Sequence, residues 1–292
     1  MLKVKERKKV KKKKNMIFSP KKHLGQNFIF DKTLLQKILN NCLIEDDSLV
    51  IEVGSGYGDF TRMLVEKKCR HVFSLEKDER LFSLLTQKKE SEKITFLLQD
   101  ALKVNWDSFC NLYNEKECSV SIVGNLAYNI ANSLVIELLF VFQLFNSFSF
   151  LVQEEVAYRW VAKPKERNYS AISVFIDFFS FSKIKFVVSG TVFVPISSVR
   201  GALVVFVIKK KRVAKTSEVK EFWGFLRNCF QCRRKTLFNN LIRFSNYSIE
   251  WKDYYLRKEY SLKIRPSDLT AEEYWDFFLF FKKQNGLKIQ EN

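Results

Sequence analysis

The feature that most constrains this chain is a rhythm of short apolar runs separated by segments of helix length. It starts at Leu49–Val53 and is followed at once by Glu52-Val53-Gly54-Ser55-Gly56-Tyr57-Gly58. The runs at 71–75, 94–98, 119–124 and 148–152 continue the rhythm. Strands separated by helix-length segments predict parallel βαβ units in a sheet covered on both faces. The helices predicted between them are 31–42, opened by Asp31, then 60–68, 79–89, 132–145 and 154–162, with a looser stretch through Trp106 and Phe109. Beyond these, 170–179 predicts a helix, and 184–188 and 202–208 predict two strands suited to antiparallel pairing. After the charged run 209–212 the pattern becomes helical, at 219–241 and 271–283, with only weak strand signals between. The domains expected are a basic disordered arm at 1–15, an α/β domain at 16–208 and a helical domain at 209–292.

In an open α/β sheet ligands bind beyond the carboxyl ends of the strands. Gly54, Gly56 and Gly58 follow the first strand, where missing Cβ atoms let backbone approach a ligand. Glu76 ends the second strand, 22 positions after Gly54, and suits a pair of ribose hydroxyls. Asp100 follows the third strand and suits an adenine amine. A glycine turn alone is a weak signal, common to dinucleotide sites and plain tight turns. The series of glycines, acid and acid is stronger, and its G-x-G-x-G spacing differs from the dinucleotide G-x-G-x-x-G. It points to an adenosine-bearing cofactor, S-adenosylmethionine rather than a nicotinamide.

The fourth strand runs into Asn125-Leu126-Ala127-Tyr128. A carboxamide oxygen at Asn125 and the Leu126 carbonyl offer two acceptors for the two hydrogens of a nucleobase amine. That amine is a poor nucleophile because its lone pair is delocalised, and paired acceptors favour the tetrahedral form and stabilise developing positive charge. Tyr128 can stack on an unstacked base. Taken singly, Asn125 is as well explained as a cap for the following helix, and Tyr128 as a packed ring.

Composition narrows the partner. The chain carries a net charge of +18, and its first fourteen residues hold nine Lys/Arg and one Glu, so the remainder is still strongly basic. A basic body suits a polyanion, most simply nucleic acid. The 29 phenylalanines read as core filling. Six scattered cysteines with one C-x-x-C (Cys229, Cys232) and two distant histidines, His23 and His71, leave no zinc pattern and suggest reduced thiols in the cytoplasm. The Lys-rich start is followed by no apolar run such as a secretory leader needs. The apolar stretch 134–150 is interrupted by Glu137, Gln143 and Asn146, so no membrane span is expected.

Taken in order, several segments resemble the ribosomal RNA adenine dimethyltransferases that act on the small subunit. They are His23-Leu24-Gly25-Gln26-Asn27-Phe28-Ile29, the glycine turn, Glu76, Gln99-Asp100-Ala101 and Asn125–Ile130. Two more are Phe150-Leu151-Val152-Gln153-Glu154-Glu155-Val156 and Phe230-Gln231-Cys232-Arg233-Arg234-Lys235-Thr236-Leu237. The resemblance covers nearly everything from residue 20 on. It implies a Rossmann-like class I methyltransferase fold, with a mostly parallel seven-stranded sheet and a small α-helical C-terminal domain. It implies S-adenosylmethionine contacts at Asn27, Ile29, Gly54, Gly56, Glu76, Asp100 and Asn125, and base handling by Asn125, Leu126, Tyr128 and Phe150. The implied reaction is dimethylation of two adjacent adenosines near the 3′ end of small-subunit rRNA, by a cytoplasmic monomer acting on rRNA or the immature subunit, with no metal. Arg233, Arg234 and Lys235, expected on one helix, and Arg200 are candidates for phosphate contact. The family's N-L-P-Y has alanine here at 127, and its P-x-P-x-V-x-S loop is replaced by Pro195-Ile196-Ser197-Ser198-Val199-Arg200. Other readings are a large-subunit rRNA methyltransferase of the macrolide-resistance type, which the R-R-K-T extension disfavours, a non-catalytic ribosome-assembly factor, which Ala127 alone favours, and a DNA-directed adenine methyltransferase.

Overall fold

The computed structural model describes residues 17–21, 24–87, 90–113, 118–210, 212, 214–245 and 248–290. The basic arm expected at 1–15, and His23, lie outside them. The chain divides into two compact units, Met1–Ala157 with Lys183–Ile208, and Tyr158–Ser182 with Lys209–Asn292.

The first unit opens with β1 (Phe28–Ile29) and α1 (Lys32–Asn41), which Asp31 caps by accepting from the Leu34 N–H at 3.1 Å. Then follow β2 (Leu49–Val53), α2 (Asp59–Leu64), β3 (His71–Glu76), α3 (Glu79–Thr86), β4 (Ile94–Leu98), α4 (Trp106–Tyr113), β5 (Val120–Asn125), α5 (Tyr128–Phe140), β6 (Ser147–Gln153) and α6 (Glu154–Trp160). After α7 (Ala171–Phe179) come β7 (Ser180–Val188), β8 (Phe193–Val194) and β9 (Gly201–Ile208). Seven strands form one sheet in the order β4-β3-β2-β5-β6-β9-β7. The pairs from β4 across to β6 are parallel and β6 pairs β9 antiparallel. The sheet and its helical crossovers are those of the Rossmann-like fold expected.

The chain therefore builds outward from β2 to β4, then returns to lay β5 against the other side of β2. That reversal is the switch point at which such sheets hold ligands. Val53 and Gly124 are register partners, so Gly54 and Asn125 leave the sheet side by side. β2 is buried at all five positions and pairs in parallel register with β3 on one side and β5 on the other.

Several elements differ from expectation. The 106–113 segment is a full helix, with Trp106 and Cys110 turned inward. α5 begins four residues earlier than expected, directly at Tyr128. A separate two-stranded pairing, Phe28 with Val194 and Ile29 with Phe193, ties the start of the unit to the segment before β9.

The second unit takes in α7 as well as α8 (Thr216–Cys229), α9 (Leu237–Phe244), α10 (Ser248–Arg257) and α11 (Ala271–Gln290). The expected α/β domain at 16–208 thus loses Tyr158–Ser182 to the helical unit. The reason is α7, whose nine residues include seven buried ones. Phe178 stacks on Trp275 at 4.6 Å, and Phe175 packs against Trp223 at 5.2 Å. The helix expected at 219–241 is two helices with a turn between them, and α10 was not anticipated. The turn is closed by Asn240, whose Oδ1 accepts from the Cys232 N–H (3.0 Å) and whose Nδ2 donates to the Cys232 carbonyl (3.1 Å). Arg233, Arg234 and Lys235 therefore sit in this turn rather than on a helix.

Beneath the glycine turn of the first unit lies a buried acid, Glu52. It accepts from Thr61 Oγ1 at 2.5 Å and from Ser74 Oγ, which in turn meets Ser55 Oγ at 2.6 Å. Burial pushes the Glu52 carboxyl up to about 7, against the hydrogen bonds of Ser74 and Thr61. A folded-state value above the unfolded one means that the native state holds the extra proton. Stability from this group is therefore full below about pH 4.3, where the unfolded acid also protonates, and is lost as pH rises toward 7. In Glu52→Gln the two hydroxyls keep an acceptor and the titration is removed. The melting temperature of the parent should fall relative to Glu52→Gln between about pH 5 and pH 8; a difference that does not change with pH would contradict this.

Candidate functional site

A crevice of about 240 Å³ opens at the switch point of the first unit. Its walls include Asn27, Gly54, Gly56, Glu76, Asp100, Asn125, Leu126, Tyr128 and Arg200, all expected site residues. Of the residues expected at the cofactor or the target base, two are elsewhere. Ile29 does not line the crevice; it is buried in the core with Leu35 and Ile38, because its strand pairing turns it inward. Phe150 is fully buried on β6 between two neighbouring strands, with Phe148 and Phe206 rings at 5.8 and 6.1 Å, and it offers no face to a ligand there. A ring that does line the crevice is Phe193, from β8. Gly201 makes room for it, since a Cβ there would lie 2.8 Å from the ring. Its two-residue strand gave no periodic signal; an aromatic residue two positions before Pro195 was the only hint.

The glycine turn fits an adenosine-bearing cofactor. Gly54 has a φ of +85°, and a Cβ built on it would meet only the Asn125 carbonyl oxygen, 4.0 Å away, so it would stand in the ligand space. Gly56 donates its N–H to Glu76 Oε2 (2.9 Å), while Glu76 Oε1 accepts from the Asp78 N–H (2.8 Å). The N–H groups of Gly56, Asp78 and Lys77 leave the carboxylate one further acceptor site, which is what a donor such as a ribose hydroxyl needs. Burial pushes the Glu76 carboxyl up, and its backbone N–H donors offset this only in part. Asp100 faces burial too, but the Lys77 ammonium at 2.8 Å and the Leu102 N–H outweigh it and hold the carboxyl below its ordinary range.

The fourth-strand turn is arranged differently from a helix cap. The N-cap of α5 is Ala127, with no side-chain hydrogen bond. Asn125 instead donates from Nδ2 to the Asn27 carbonyl at 2.7 Å. With its nitrogen so committed, the carboxamide presents Oδ1 as an acceptor. Tyr128 is 60% exposed, so it is not a core ring. Arg200 lines the crevice but its guanidinium donates to Glu154 at 2.7 Å. Arg233, in the second unit, donates to the Arg167 carbonyl at 2.8 Å. Among the described residues there is no cluster of three or more His, Cys, Asp or Glu that could hold a metal. No helix among them is long and apolar enough to cross a membrane.

Residues 17–279 match the model of a family described as ribosomal RNA adenine dimethylase. The chain is 34% identical over 255 residues to a ribosomal RNA small subunit methyltransferase A of Mesomycoplasma hyopneumoniae, covering 87% of this chain and 93% of that one. A protein of the same name from Streptococcus sanguinis is 32% identical over 262 residues, covering 88% and 90%. Among solved structures, a dimethyladenosine transferase from Plasmodium falciparum superposes with a TM-score of 0.71 at 20% identity, covering 88% of this chain and 98% of that one. The 23S rRNA methyltransferase ErmE gives 0.64 at 18% identity, covering 87% and 99%. These two likenesses establish the fold.

Ala127, the departure from N-L-P-Y, has φ −63°, the angle proline would impose, and an extended ψ of 143°, which proline adopts readily. Its Cβ already fits against Gly25, where an added Cβ would come within 2.9 Å of it. Ala127→Pro should therefore stabilise the first unit by about 0.4–1 kcal/mol through the unfolded chain. The urea midpoint measures this; a lower midpoint would show that the turn needs the freedom or the N–H that alanine keeps.

Proposed function

The chain belongs to the ribosomal RNA adenine dimethylase family, and from that premise we propose that its crevice binds S-adenosylmethionine and dimethylates the N6 amines of adenosines in small-subunit rRNA. The observation that carries the reading is the Asn125 carboxamide. It is held by its nitrogen to Asn27, with its oxygen available, beside the glycine turn.

The bound cofactor supplies an electrophilic methyl carbon. The chain supplies the rest. Gly54 and Gly56 bring bare backbone to the cofactor, Glu76 and Asp100 accept from its ribose and adenine, and Asn27 walls the crevice. Asn125 Oδ1 and the Leu126 carbonyl accept the two amine hydrogens of the target base, orient its nitrogen and stabilise the positive charge that grows there. The exposed Tyr128 ring stacks on the base, and Phe193 offers a second apolar wall. No residue has to act as a strong base before the new bond forms.

The finer reading is that the targets are two adjacent adenosines near the 3′ end of small-subunit rRNA. The enzyme would act on them as a cytoplasmic monomer at the immature subunit. The net positive charge and the Arg233-Arg234-Lys235 turn support RNA docking by the second unit. Arg200 can add a phosphate contact at the crevice if it gives up Glu154. Replacing Arg234 and Lys235 by Ala should weaken RNA binding and flatten its salt dependence by roughly one logarithmic unit for each phosphate no longer neutralised; an unchanged slope would remove the turn from the interface. Asn125→Ala should lower turnover by about 10²–10³-fold with rRNA affinity nearly unchanged. Survival of turnover near the parent rate would remove Asn125 from the role given to it.

A further inference from the structure

One buried acid near the crevice is not among the residues that line it. Asp78 follows Glu76 by two residues, and its side chain is completely buried. Its carboxylate collects five donors. Oδ1 accepts from Lys21 Nζ (3.0 Å), Arg80 Nε (3.1 Å) and the Arg80 N–H (3.2 Å), and Oδ2 from Gln26 Nε2 (2.9 Å) and Arg80 Nη2 (2.7 Å). Two of these donors, Lys21 and Gln26, come from the segment before β1, more than fifty residues away in sequence. Gln26 Oε1 also accepts from the Lys21 N–H at 2.7 Å. The Asp78 N–H, for its part, donates to Glu76.

The same leading segment is fastened again further along. Phe28 and Phe30 pack on Tyr57 of the glycine turn at 5.0 and 5.4 Å, and the Asn27 carbonyl receives Asn125. Without its ties this stretch would be surface chain, with an entropic cost to order when ligand arrives. We propose that Asp78 is a positioning residue: its carboxylate fastens Lys21 and Gln26 to the end of β3, so that the Asn27 wall stands beside Glu76 before the cofactor binds. The proposal rests on the reading of the crevice as the S-adenosylmethionine site. It assigns no ligand contact to Asp78.

The plainer role for Asp78 is as N-cap of α3, through the Arg80 N–H. Asparagine caps a helix about as well as aspartate, so Asp78→Asn keeps the cap. It removes the charge that Lys21 answers, and it sets an amide that cannot accept at both ends against Gln26 and Arg80. Binding competence then becomes a fraction of the population, and apparent affinity falls by that fraction.

The test measures two quantities on the full chain, S-adenosylhomocysteine affinity by calorimetry and amide hydrogen exchange of residues 24–30 in ligand-free protein. Asp78→Asn should weaken affinity by about tenfold, as for a competent fraction near one tenth, and speed exchange in 24–30. At saturating cofactor its turnover should stay within about threefold of the parent. Gln26→Ala, which leaves the cap and the charge pairs intact, should move affinity and exchange in the same direction by less. Unchanged exchange in both variants overturns the proposal, whether or not affinity falls; so does faster exchange with unchanged affinity. If the parent itself fails to bind S-adenosylhomocysteine, the cofactor reading falls, and the exchange measurement still decides whether Asp78 fastens the segment.

Discussion

Parallel pairing of β2 with β5 is the constraint on which the rest depends. It joins segments about seventy residues apart in sequence and sets Val53 opposite Gly124. The glycine turn and the Asn125 turn then leave the sheet together, at the point where chain direction across the sheet reverses. A one-residue slip would turn Glu52 away from Thr61 and Ser74 and take Gly54 out of line with Asn125, so a buried polar contact ties the register to the site. The chemistry is thereby held by the most buried part of the molecule, while its working atoms stand at the rim.

Much of this was legible because the central strands are short, mostly apolar and bounded by turn residues. Leu49–Val53 and Ile94–Leu98 lie where the pattern puts them, and Asp31 caps its helix. Gly54, Gly56, Glu76, Asp100 and Asn125 reach one crevice because each ends or follows a strand, which the pattern also locates, whereas Gly58 faces Leu85 and Arg62 instead. What was not legible depends on contacts distant in sequence. The pairing of Phe28–Ile29 with Phe193–Val194 is two residues long, too short for any alternation to show. It turns Ile29 into the core and brings Phe193 to the crevice. Phe150 follows from the opposite ambiguity: in a strand buried on both faces an aromatic residue near the end reads equally as core or as site.

The helical unit shows a different limit. No glycine or proline interrupts 230–236, yet the chain turns there because Thr236 caps the next helix and Asn240 ties back to Cys232 through both ends of its amide. Such a stop is made by side-chain hydrogen bonds to backbone, which a hydrophobic pattern does not register. The excess of phenylalanine has its use in this unit, where rings from α7, α8 and α11 interlock, as in the contacts of Phe222 with Phe178, Trp275 and Phe278.

The central claim is that a methyl carbon and an unstacked adenine amine meet where these two turns converge. Incubating the protein with methyl-labelled S-adenosylmethionine and under-methylated small ribosomal subunits, then mapping the label base by base, tests it most directly. The account predicts label on the N6 atoms of adjacent adenosines near the 3′ end of the small-subunit rRNA. Absence of transfer, or label on large-subunit RNA instead, would contradict it.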